Sequence, residues 1–170
     1  MALIKSLESE QADPIAQSIY QGFKQSAGSV PEWVKIMAYR PEILKNFVGL
    51  FNAVMQTGKI EKNLKWKIAY VVSDTLRCEF CVDVTVKMLK KMGASDQELE
   101  KIKSLENLAN HEKEILELVK DVTLDGHLDK PEIFDKIKYK MDEAELVELV
   151  SVIGLFNYIN RFNNTFAILP

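Results

Sequence analysis

The stretch that decides the fold is Leu64-Lys-Trp-Lys-Ile-Ala-Tyr-Val-Val-Ser-Asp-Thr-Leu76, which Arg77 joins to Cys78-Glu-Phe-Cys81. Residues 64–76 read as a largely buried helix. Val82 to Met92 predict a second helix, which ends at Gly93. The cysteine pair is therefore expected to open a helix.

Cys78 and Cys81 are the only cysteines among the 170 residues. A single C-x-x-C motif is a redox dithiol, half of a metal site or two small core residues. No second pair completes a zinc site, and His111 and His127 lie outside zinc-finger spacing. Val82 stands where a haem-attachment motif requires histidine. Redox chemistry and core packing remain, and we expect no metal and no cofactor.

A helix start favours redox chemistry, because its free N–H groups and positive dipole end stabilise a thiolate. Arg77 adds a positive charge beside the pair, and Glu79 opposes part of that effect. We therefore expect Arg77 to support thiolate formation.

Length, composition and charge limit the classes of protein to which this chain can belong. The length suggests a single domain spanning 1–170, with 47% hydrophobic and 28% charged residues, as is ordinary for a globular protein. The net charge is −3, and without a basic stripe nucleic acid is not an expected partner. The first residues do not resemble a signal peptide and no apolar run has membrane-spanning length. We expect a cytoplasmic protein with no membrane partner, where a C-x-x-C is more often catalytic than structural.

Helix signals recur along the chain, and no segment reads as a confident strand, so the predicted fold is all-α, a compact helical bundle. Residues Asp121 to Asp129 are predicted to be a loop around Gly126, Ser95 with Glu98 a capping box, and Asp142 with Glu145 the cap of the last long helix. The apolar run of the last helix predicts burial on most sides. The predicted helices run from Pro14 to Gly28, Pro31 to Tyr39, Pro41 to Gly58, 61–77, 79–92, Ser95 to Ser104, Asn110 to about Val122, Asp129 and Pro131 to Tyr139, and Asp142 onward.

This pattern resembles the AhpD-like superfamily, which includes alkylhydroperoxidase D and the carboxymuconolactone decarboxylase family, and is most like its peroxidase-related members. The resemblance covers about residues 35 to 168. It is carried by Cys78-Glu-Phe-Cys81 after a buried helix, by Gly93-Ala-Ser-Asp96 leading into an acidic helix, and by the helix end Phe156-Asn-Tyr-Ile-Asn-Arg161.

The resemblance implies an all-helical fold and assembly as a dimer, trimer or hexamer. It also implies a dithiol that reduces peroxides, in which Cys81 attacks and Cys78 resolves to a disulfide. Family members relay protons through a glutamate twelve residues before the first cysteine and a histidine four residues after the second. Trp66 and Thr85 occupy those two positions. Neither is a general base near neutral pH, so any peroxidase is expected to be slow.

Other side chains have competing interpretations. Thr85 either donates a hydrogen bond to a thiolate or bonds its own backbone. Trp66 and Trp33 are predicted to pack in the core rather than to line a ligand pocket. The tail Phe166-Ala-Ile-Leu169 is expected to dock into the core or a subunit interface.

The predicted function is a thiol-dependent peroxidase or disulfide oxidoreductase of the alkylhydroperoxidase D type, an antioxidant activity comparable to that of a peroxiredoxin. Its partners would be a small-molecule oxidant, a thiol reductant of unknown identity and further copies of the chain. The alternative is a non-catalytic family member that binds a ligand or supports an assembly. A carboxymuconolactone decarboxylase activity is a weaker alternative.

Overall fold

The computed structural model describes residues 2–56, 58–126 and 131–170. His127 and Asp129 lie outside these ranges. Within them the chain is all-α, as predicted, and no strand occurs. After a 3-10 turn at Ser9–Gln11, the helices are α1 Pro14–Ala27, α2 Glu32–Met37, α3 Pro41–Met55, α4 Lys62–Thr75, α5 Glu79–Lys91, α6 Asp96–Ser104, α7 Asn110–Asp125, α8 Pro131–Lys138 and α9 Glu143–Thr165.

Helix α4 is the centre of the bundle, in line with its predicted burial. It packs against α5, α6, α7 and α9. Ile68, Ala69 and Val72 have no exposed surface. Burial of such side chains is worth about 1.5–3 kcal/mol each for the larger ones, so α4 fixes the positions of the helices around it.

Local sequence signals set several helix ends. The Asp13 carboxylate accepts a hydrogen bond of 2.8 Å from the Ile15 N–H at the start of α1. Asp142 and Glu145 cap α9 as predicted and form a full capping box, with both reciprocal bonds at 2.8 Å. The capping box predicted at α6 shows one of its two bonds. At α6, Ser95 accepts from the Glu98 N–H, while the Glu98 carboxylate pairs with Lys67 at 2.8 Å.

Two sequence predictions need correction. Helix α7 continues to Asp125, so the loop begins at Gly126 rather than at Asp121. Helix α9 is not buried on most sides, because Val147 and Val150 are 68% and 50% exposed. Hydrophobic periodicity alone did not identify the exposed face of α9, because valine occurs on both its buried and its exposed face.

The turn between α3 and α4 is tied to α9 by a buried charge pair. Lys65 has no exposed side-chain surface and pairs with Glu148. Its ammonium also donates to the carbonyl oxygens of Val54 and Gln56 at 2.8 and 2.6 Å. The Glu148 carboxylate accepts from the Lys59 and Ile60 N–H groups at 2.7 and 2.9 Å.

The carboxyl-terminal tail packs against the rest of the chain. Ile168 is 3% exposed, and the Ile168 N–H donates to the Asn163 carbonyl oxygen at 2.9 Å. The Leu3 N–H donates to the Phe166 carbonyl oxygen at 2.9 Å, so both ends of the chain meet at the end of α9. Among the described residues, no helix combines the length and hydropathy needed to span a membrane.

Candidate dithiol site

The tight turn between α4 and α5 places the cysteine pair. Arg77 adopts a left-handed conformation with φ of 53°, and the Cys78 N–H donates to the Ser73 carbonyl oxygen at 3.1 Å. From α9, the Asn164 amide donates to the Leu76 carbonyl oxygen at 2.9 Å. Cys78 thereby becomes the N-cap of α5, so the pair opens a helix as predicted.

The two sulfur atoms are in direct contact. Their Sγ atoms lie 2.7 Å apart, and the Cys81 N–H donates to Cys78 Sγ at 3.4 Å. A disulfide bond is about 2.05 Å long, so a bond between them needs little movement. Both cysteines are free thiols. Cys78 has no exposed surface and Cys81 is 5% exposed.

Asn163 of α9 completes the immediate surroundings of the sulfurs. Its Nδ2 group donates to Cys81 Sγ at 3.2 Å, across 82 residues of sequence. Asn163 is fully buried, and its Oδ1 atom has no hydrogen-bond partner. A neutral amide donor therefore lies against the sulfur that faces the cavity described below.

The contact between the sulfurs separates their acidities. The pKa of Cys78 lies below the ordinary value because it accepts a hydrogen bond from the Cys81 thiol, an effect that outweighs burial. The Cys81 N–H and the Asn163 amide act in the same direction. The pKa of Cys81 is raised, first because of its hydrogen bond with Cys78 and then because of burial. The two thiols therefore titrate as a coupled pair in which Cys78 is the more acidic.

An apolar cavity of about 440 Å³ adjoins Cys81. That volume lies within the range of small-molecule sites. Cys81, Phe80 and Asn163 line it beside the dithiol. Six aromatic side chains form much of its wall: Phe23, Trp33, Phe47, Phe51, Trp66 and Phe156.

Trp33 and Trp66 pack in or against the hydrophobic core, as predicted, but they also have the role that the sequence analysis did not favour. Both line the cavity, although Trp66 is also only 6% exposed. Trp66 packs edge-on against Phe156 with ring centroids 6.0 Å apart. Its Nε1 atom is buried and has no hydrogen-bond partner.

Thr85 and Arg77 lie beside the dithiol but do not contact the sulfurs through hydrogen bonds in this structure. The Thr85 hydroxyl is buried and donates to the carbonyl oxygens of Cys81 and Val82 at 2.9 and 3.0 Å, the backbone alternative considered above. Arg77 is exposed and is not among the causes that shift the pKa of either cysteine. Its visible role is the shape of the turn.

The remaining acids and His111 do not replace the missing bases. Asp83 pairs with Lys87 at 2.6 Å, and Glu79 is exposed. His111 is exposed in the first turn of α7, where it acts on the Glu114 carboxyl group. Arg161 bonds the Asn157 side chain one turn earlier in α9.

The sequence offered no signal for Asn163. The residue appears there only within Asn163-Asn164-Thr165, which matches a glycosylation sequon. Its contact with Cys81 arises because α9 packs against α5, a pairing that local patterns do not encode. Within the described parts of the chain, no three His, Cys, Asp or Glu side chains are grouped to hold a metal ion.

Comparison with known families agrees with this geometry. Residues 41–103, from α3 to α6, match the model of the carboxymuconolactone decarboxylase family. This region contains both cysteines. Over this region the chain is similar to the carboxymuconolactone decarboxylase family. The Bacillus subtilis protein YdfG, which is uncharacterized, is 28% identical over 127 residues, or 72% of this chain and 86% of YdfG.

Solved structures have the same fold. An uncharacterized peroxidase-related protein with an AhpD core from Ralstonia eutropha JMP134 has a TM-score of 0.87 at 17% identity, covering 99% of this chain and 92% of that one. A protein of unknown function from Agrobacterium tumefaciens, for which a role in antioxidant defence has been suggested, is 26% identical with a TM-score of 0.72, covering 79% and 95% of the two chains.

The debrominase Bmp8 has the same fold. A cysteine-to-alanine variant of Bmp8, solved in complex with 2,3,4-tribromopyrrole, has a TM-score of 0.83 at 22% identity and covers 98% of this chain and 90% of that one. At this identity the likeness extends to the fold alone.

Proposed function

We propose that this protein is a thiol-dependent oxidoreductase that reduces a small apolar oxidant, with organic hydroperoxides as the substrate class. The observation that carries the proposal is the contact between two free thiols, one of which lines an apolar cavity. Similarity to the carboxymuconolactone decarboxylase family model and to structures with an AhpD core supports the same chemistry.

The reaction uses both sulfurs. The Cys81 thiolate attacks the terminal oxygen of the hydroperoxide, so an S–O bond forms, the O–O bond breaks and the alkoxide leaves with a proton from solvent. Cys78 then attacks the resulting sulfenic acid and water leaves as the disulfide closes. In total, two thiols and one hydroperoxide give a disulfide, an alcohol and water. A small-molecule or protein thiol must reduce the disulfide again.

We expect turnover to be slow, because Trp66 and Thr85 supply no base where related proteins place a glutamate and a histidine. The test follows consumption of cumene hydroperoxide with dithiothreitol as reductant. Cys81→Ser should lose all protein-dependent turnover. In a second assay without dithiothreitol, Cys78→Ser should consume one equivalent of hydroperoxide and stop at a sulfenic acid, which mass spectrometry detects.

The two serine variants are matched controls for each other, since each replaces one thiol by a hydroxyl group of similar size at the same position. Wild-type consumption equal to that of Cys81→Ser would exclude this function. If cumene hydroperoxide then binds to the protein without being consumed, the protein has a ligand-binding rather than a catalytic role.

A second candidate rests on the aromatic wall of the cavity, which suits a flat ring. It is the reduction of a halogenated aromatic compound, in which two thiols and a carbon–bromine bond give a disulfide, a carbon–hydrogen bond and hydrogen bromide. Bromide release from 2,3,4-tribromopyrrole, lost in Cys81→Ser, would favour this candidate if cumene hydroperoxide is not consumed.

A further inference from the structure

Among the described residues, no basic or cationic side chain is among the groups that shift the pKa of either cysteine, so another group must stabilise a thiolate at Cys81. Asp74 lies at the end of α4 and acts on the pKa of Tyr70. Arg77 and Glu79 are exposed, and Asp83 pairs with Lys87. From α4 and α9, the helices packed against α5, none of the charged side chains is among the groups that shift the cysteine pair.

Within the part of the chain that the structure describes, Asn163 is the side chain from another helix that forms a hydrogen bond with the pair. Its amide group donates to Cys81 Sγ at 3.2 Å from a fully buried position. A hydrogen bond to an ionised acceptor is about twice as strong as one to a neutral acceptor, and burial shields it from water. The amide therefore interacts more strongly with the Cys81 thiolate than with the thiol.

The geometry also fixes the amide against the sulfur. The backbone carbonyl oxygen of Asn163 accepts a hydrogen bond from the Ile168 N–H at 2.9 Å. This bond holds the last turn of α9 against the folded tail. The neighbouring Asn164 anchors the α4–α5 turn through the Leu76 carbonyl oxygen. Hydrogen bonds to backbone carbonyl oxygens therefore hold both Asn163 and the α4–α5 turn that carries the cysteines.

We propose that Asn163 is a catalytic hydrogen-bond donor, which stabilises the Cys81 thiolate while Cys78 holds the shared proton. This inference rests on the proposed function, in which Cys81 is the attacking sulfur. The step is a proton shift within the pair: the Cys81 thiol loses its proton to the Cys78 thiolate, so no oxidant or reductant takes part. Asn163 replaces by neutral hydrogen bonding what charged residues supply in a conventional thiol site.

The test measures the rate at which iodoacetamide alkylates Cys81 in the reduced protein, as a function of pH, with the modified residue located by mass spectrometry. Asn163→Leu keeps the size of the side chain and removes the donor. We expect alkylation at pH 7 to slow on the order of tenfold and the midpoint of the pH profile to rise by about one unit.

Asn160→Leu is the matched control. Asn160 is fully buried on the same helix, also has an Oδ1 atom without a partner, and donates to the Phe156 carbonyl oxygen at 2.6 Å instead of to sulfur. Its replacement should leave the alkylation profile unchanged. An equal effect in both variants would show a packing role and overturn the proposal.

Asn163→Ala guards against failure of the leucine variant to fold. It lacks the donor but packs differently, so a donor role predicts the same shift in pH midpoint in both variants. Wild-type alkylation in either folded variant overturns the proposal. Because the assay contains no hydroperoxide, an absence of peroxidase turnover leaves its result intact, and the two proposals fail separately.

Discussion

At the scale of single residues, the hydrogen bond between the Cys78 and Cys81 sulfurs determines how the two thiols ionise. With sulfurs 2.7 Å apart, the first ionisation yields one thiolate that the remaining thiol stabilises. A second ionisation would place two negative charges in contact. The pKa of Cys78 is therefore lowered and that of Cys81 raised.

This coupling predicts a two-step titration of thiolate absorbance at 240 nm. An acid with a lowered pKa ionises earlier as pH rises, so the first thiolate should appear below the ordinary cysteine value of about 8.5 and the second well above it. Cys78→Ser should show a single step between the two, because it removes both the stabilising partner and the repelling charge. Two thiolates formed together near pH 8.5 would contradict the coupling.

The residues of the site were only partly predictable. The spacing of Cys78 and Cys81 and the buried helix before them located the dithiol, because local sequence determines a helix start. Asn163 and the aromatic wall depend on which helices pack together, so no local signal reveals them. Trp66 is both buried and part of the cavity wall, two outcomes that the sequence analysis treated as alternatives.

The elements are held in register by the pair Lys65 and Glu148. Lys65 of α4 satisfies two carbonyl oxygens at the end of α3, and Glu148 of α9 receives two backbone N–H groups from the segment before α4. A Cβ atom at Gly58 would collide with the Glu148 carboxylate. This close approach explains why the turn carries glycine.

We expect Lys65→Ala to lower the free energy of unfolding by about 3–5 kcal/mol, since Glu148 and two carbonyl oxygens lose their partner in a buried setting. Lys62→Ala is the control on the exposed first turn of the same helix and should change stability by less than about 0.5 kcal/mol. Urea unfolding monitored by circular dichroism measures both. Similar values for the two variants would contradict the role of the buried pair.

The same pair gives stability a defined pH dependence. Burial alone would raise the pKa of Glu148, but the bonds from Lys65, Ile60 and Lys59 together lower it. A carboxyl group with a lowered pKa stabilises the fold fully above its unfolded value of about 4.3, and this contribution is lost as pH falls through the folded value.

Helix bounds followed from the sequence more closely than helix faces did. Capping residues such as Asp13 and Asp142 act within one turn, so they are readable locally. The exposed side of α9 depends on the absence of a neighbouring helix at Val147 and Val150, which only the packed structure reveals.

At the scale of the whole molecule, α3 and α9 leave an apolar face uncovered. Ile43, Leu50 and Tyr158 are 41%, 53% and 46% exposed, and they line a shallow groove where the two helices meet. Val147 and Val150 lie on the same run of α9 at helical spacing. Exposed apolar patches of this kind mark contact surfaces.

We therefore expect a homo-oligomer in which this face packs against a second copy. Burying such a side chain is worth about 1.5–3 kcal/mol, so several on each copy can offset the cost of association. In a two-fold dimer one patch meets its own copy, and a single substitution acts twice. Leu50→Lys should thus convert the oligomer to a monomer in size-exclusion chromatography with light scattering. Leu3→Lys changes another exposed leucine, 72% exposed and away from the groove, and should leave the mass unchanged. A wild-type monomer at micromolar concentration would contradict this expectation.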